Sequence, residues 1–63
     1  MTNGEIEEKI ELLERSIEKL DKKIERYEEM EDAYLMLAAH TKRSWLIDKR
    51  KALMIAKRYA KEN

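Results

Sequence analysis

His40, Ser44 and Asp48 follow one another at intervals of four residues. These are the residue types of a hydrolytic triad, in which a histidine takes the proton of a hydroxyl nucleophile and a carboxylate orients the histidine. The order is wrong for that chemistry. Ser44 stands in the middle, and on one helix His40 and Asp48 would be about 12 Å apart. No oxyanion loop is visible beside them. Ser44 is better suited to cap the start of a helix and Asp48 to favour its positive end. The chain is expected not to be an enzyme.

Glu28, Glu29, Glu31 and Asp32 could gather a divalent cation. They lack the Glu-x-x-His pairs of di-iron bundles, and a solvated acidic face, or one answering basic residues elsewhere, is the better reading. One histidine and no cysteine exclude multi-histidine and thiolate metal sites within one chain, as well as disulfides. No metal and no cofactor are expected.

The basic residues are more informative. Residues 1–39 hold twelve acids and six bases, whereas residues 40–63 hold eight bases and two acids, so a net charge of zero conceals opposed halves. On a helical wheel Arg43, Arg50, Lys57 and Lys61 form one edge of the basic part, with Lys51 and Arg58 on the other side and Ile47 and Met54 between. Such a surface could hold phosphates by charge and a base or side chain by apolar contact. The leading expectation is a small binding protein or regulator whose basic C-terminal helix meets an anionic partner. That partner would be a nucleic acid or a phosphate-bearing ligand such as a nucleotide. The basic part follows the heptads, whereas basic-zipper proteins place it first, and no base-reading Asn/Arg pattern is seen. In the competing outcome the cations pair with the acidic first helix and require no ligand. The alternative function is a protein–protein interaction module, such as an adaptor, scaffold or inhibitor, recognised through apolar helix faces. A purely structural coiled coil is the third reading.

These residues need elements to position them. The chain has 63 residues, one glycine, no proline and 44% charged residues. It reads as one small domain, residues 1–63, whose core is too small to stand without help from a partner chain. Thr2 and Glu5 form a capping-box pattern. Ile6, Ile10, Leu13, Ile17, Leu20, Ile24 and Tyr27 then recur at alternating steps of four and three. Isoleucine at a with leucine at d suits a two-stranded parallel coiled coil. Lys9 and Lys23 at g would face Glu14 and Glu28 at e of a second chain. The stripe is therefore expected to be an oligomer seam, although an amphipathic helix packed on its own chain would show a similar one.

Continuing the frame puts Glu31, Thr41 and Asp48 at core positions, so the seam ends near Tyr27 to Met30. The stretch Ala33–Ala39 is apolar on every side and reads as buried. Tyr34, Leu35, Leu37, Ala38, Trp45, Leu46, Leu53, Ala56 and Tyr59 are expected to form the bundle core. The fold expected is all-α. A long coiled-coil helix over about 3–40 and a turn within 40–44 lead to a shorter basic helix over about 44–61, in a helical-bundle homodimer or multiple of dimers. The runner-up is one continuous helix about 90 Å long. The longest apolar run is seven residues, against about 20 for a membrane span. The opening MTNGEIEE lacks the basic and apolar regions of a secretory signal. A cytoplasmic protein with no membrane role is expected.

Overall fold

The computed structural model describes the backbone of residues 2–62 and the side chains of residues 2–60. The chain is a helical hairpin: α1 spans Asn3–Glu29 and α2 spans Ala33–Glu62. The Cα atoms fill a rod of 49 × 14 × 11 Å.

Thr2 caps α1. Its hydroxyl accepts from the Glu5 backbone N–H at 3.2 Å, which satisfies one of the donors that a helix start leaves open. The helix closes without glycine. Glu31 takes the left-handed conformation, with φ 55°. The Glu31 N–H donates to Glu28 O and the Asp32 N–H to Tyr27 O, each at 3.1 Å. This is the paired-bond pattern of a Schellman cap. A glutamate there costs about 1 kcal/mol more than a glycine would. Asp32 then caps α2, its Oδ1 accepting from the Leu35 N–H at 3.0 Å.

The turn expected within 40–44 is thus formed by Met30–Asp32, and residues 40–44 are helical. Nothing there competes with the helix. The Thr41 hydroxyl donates to Leu37 O at 3.0 Å within its own helix, and Ser44 is an exposed interior residue, not a cap. The second helix is consequently not the shorter one: α2 has 30 residues and α1 has 27.

That length changes what covers α1. Running back along all of α1, α2 buries Ile6, Ile10, Ile17, Leu20 and Ile24 within a single chain. Leu13 and Tyr27 pack partly buried against the cluster of Ile17, Leu20, Ile24, Ala39 and Leu46. The stripe assigned to an oligomer seam is the seam between the hairpin's own helices, because the second helix reaches far enough to satisfy it. Full burial of each isoleucine or leucine contributes about 1.5–3 kcal/mol.

Candidate interaction surfaces on the second helix

From Ala39 the inward positions of α2 are Arg43, Leu46, Arg50, Leu53, Lys57 and Ala60, again at steps of four and three. Ala39 and Leu46 are buried and the others half-buried. Three cations, seven residues apart, therefore lie in the seam itself. Two of them, Arg43 and Lys57, have acidic partners on α1. Arg43 Nε donates to Asp21 Oδ1 at 2.6 Å, and Lys57 Nζ forms an ion pair with Glu7 Oε1 at 3.0 Å. Asp21 and Glu7 are fourteen residues apart, as are Arg43 and Lys57, so the two bonds fix one antiparallel register. That register sets Arg50 opposite Glu14, and both line one cleft with Glu11 and Glu18. The Arg50 Nε is buried there without a hydrogen-bond partner.

The residues expected to hold an anionic partner are therefore not one surface. Arg43, Arg50 and Lys57 turn into the hairpin, where carboxylates of α1 pair with Arg43 and Lys57 and line the cleft around Arg50. Ile47 packs on the core. Met54 is half exposed and lies in a cleft of mixed charge, lined by Glu7, Glu11 and Glu14 as well as Lys57 and Arg58. Lys51 and Arg58 are exposed. The early turn is the reason: it adds about three helical turns to α2 and lays its cations along the acidic flank of α1.

The expected bundle core divides in the same way. Leu46 is buried, and Leu35 and Leu53 are half-buried. Tyr34, Leu37, Ala38, Trp45, Ala56 and Tyr59 face outward, with Tyr34 79%, Leu37 69%, Tyr59 63% and Trp45 55% exposed. One helix can press only one face on one partner, and the inner heptads use that face.

The outward residues have an order of their own. Tyr34, Ala38, Thr41, Trp45, Asp48, Ala52, Ile55 and Tyr59 alternate at steps of four and three, and all are exposed. Ile55 and Ala52 were absent from the expected sites, although this spacing would have found them. Lys49 Nζ lies 4.1 Å from the centre of the Trp45 ring, an attraction worth about 0.5–1 kcal/mol where exposed. Along this flank Lys49 shares a groove with Lys9 and Leu12 of α1, and Lys42 shares another with Lys23.

His40, Ser44 and Asp48 are exposed on one uninterrupted helix, where their spacing cannot close into a triad. Among the described residues no three histidine, aspartate or glutamate side chains gather as metal ligands, and no helix is long and apolar enough to cross a membrane. No protein-family model, curated protein or solved structure matches the chain, so the surfaces of α2 carry the functional argument alone.

Proposed function

We propose that the chain is a non-enzymatic protein–protein interaction module whose outer α2 face receives an apolar helix. One observation carries this reading: after the hairpin closes, Tyr34, Leu37, Trp45, Ile55 and Tyr59 all remain more than half exposed on one side of one helix. Large apolar side chains left exposed along one helix face, with lysine and arginine beside them, mark an interaction site more often than a free surface. Aromatic anchors of this kind dominate helix-in-groove and helix-on-helix recognition. The absence of cysteine fits work in a reducing compartment such as the cytoplasm.

The test is a photo-reactive residue in place of Tyr59, with the chain expressed in its own cells. Irradiation should yield a discrete protein adduct, and the same probe in place of Arg15, on the charged face of α1, should not. Absence of any adduct from position 59 would sink the reading.

An anionic partner is the second reading, and one observation favours it. Lys9 and Lys23 of α1 and Lys42 and Lys49 of α2 line the grooves on one flank, with no acid lining them. A nucleic acid or phosphate ligand would lie there, and not on Arg43, Arg50 and Lys57. Polyanion binding would weaken steeply as salt rises, whereas binding through the aromatic stripe would hardly respond.

A further inference from the structure

We propose that the occupant of the outer α2 face is a second copy of this chain, packed antiparallel on the same stripe. The proposal rests on the interaction reading and names its partner. The first argument is area. A compact folded monomer of 7.6 kDa exposes about 4,300 Å², whereas this hairpin exposes 5264 Å². The excess of about 1,000 Å² is what a rod of 49 × 14 × 11 Å exposes beyond a compact body, and one long face of such a rod has room for the roughly 800 Å² that each partner contributes to a standard interface.

The second argument is pattern. Six of the eight positions of the outer stripe, all but Thr41 and Asp48, are apolar or aromatic, which suits lengthwise packing of a second helix. Thr41 does not spoil it, because its hydroxyl is already bonded to Leu37 O and need not face a partner.

The third argument is self-complementarity, which a two-fold interface requires. The stripe runs from Tyr34 to Tyr59. An antiparallel register overlapping all of it sets Tyr34 against Tyr59, Ala38 against Ile55, Thr41 against Ala52, and Trp45 against Asp48. Small residues meet larger ones, and the aromatic ends meet each other. Asp48 is the lone acid between Asp32 and Glu62, and it makes no ion pair among the described residues. At the centre of this register it comes beside the indole N–H of Trp45 and the ammonium of Lys49 from the other copy. A parallel pair would instead set Asp48 against Asp48.

Sedimentation equilibrium of the purified chain over a wide concentration range should give twice the 7.6 kDa mass. Trp45→Glu should raise the dissociation constant at least about 30-fold, with helicity by circular dichroism unchanged. Should that variant lose helicity, Ile55→Lys makes the same test on the same stripe. The chain has no cysteine, so Tyr34→Cys and Tyr59→Cys report orientation. Mixed and oxidised, they should cross-link to each other in preference to themselves. A monomer at every concentration overturns the proposal, yet leaves the photo-adduct free to reveal a different protein partner. A dimer indifferent to both stripe variants, or one in which each cysteine links mainly to its own kind, overturns the face or the orientation.

Discussion

The two helices differ in how many of their faces are apolar. Facing α2, α1 presents one clean stripe of isoleucine and leucine, and it carries charge almost everywhere else, Leu12 and the capping Met30 aside. By contrast α2 mixes Arg43, Arg50 and Lys57 into its inner stripe and keeps Tyr34, Trp45 and Tyr59 outside. A helix with one apolar stripe needs one partner; a helix with two needs another. The first helix buries its apolar stripe within the hairpin, whereas the second leaves Tyr34, Trp45, Ile55 and Tyr59 more than half exposed.

Substitutions can break or sharpen that contrast. The largest effect belongs to the α1 stripe. Ile17→Ala should lower the unfolding free energy by about 2–4 kcal/mol in urea denaturation. Tyr34→Ala, measured at a concentration dilute enough for single chains, should cost less than about 0.5 kcal/mol. Equal losses would mean that both faces are buried alike.

Next comes the inner face of α2. Arg50→Met removes a guanidinium whose Nε is buried without a hydrogen-bond partner, and should raise stability by about 1–2 kcal/mol. A loss of stability instead would show that Glu14 holds Arg50 as a third rung between the two ion pairs, making the inner face of α2 a charged seam in full.

The cap of α2 follows. Asp32→Ala should cost about 1 kcal/mol of thermal stability, because the Leu35 N–H loses its acceptor. An unchanged melting temperature would place the start of α2 under the control of packing alone. The smallest effect lies in the turn. Glu31→Gly should stabilise by about 0.5 kcal/mol, relief of the left-handed backbone being offset in part by the freer unfolded chain.

Much of this fold is legible in the residues, and the failures have physical causes. The helical class, the Thr2 cap and the end of the first seam near Tyr27 to Met30 follow from spacing and residue type. The place of the turn does not. Asp32, three residues before Leu35, is an ordinary N-cap signal, but the cap before it needs a left-handed residue, and glutamate does not advertise one. Ala33–Ala39 misled further, because apolar residues on every side read as one buried helix when they in fact serve two faces. Once the turn is misplaced, the site follows it. Arg43, Arg50 and Lys57 look like a free edge until the hairpin register lays them along Glu7, Glu14 and Asp21. That pairing is written in their common seven-residue interval. It can be read only after the helices are known to run antiparallel.

The hairpin register also settles how the rod would answer a mechanical load. Glu7 and Lys57 are bonded near one end, and the turn at Met30–Asp32 closes the other. A pull applied through residues 3 and 62 would therefore act like a zip. It would strain only the outermost layer, open the Glu7–Lys57 bond first and reach Asp21–Arg43 only after the layers between had parted. Drawn lengthwise between the turn and either end, the same rod would carry the load along the backbone of one helix and leave the bonds between the helices out of its path. If the chain links larger bodies, its toughness depends on which points they hold.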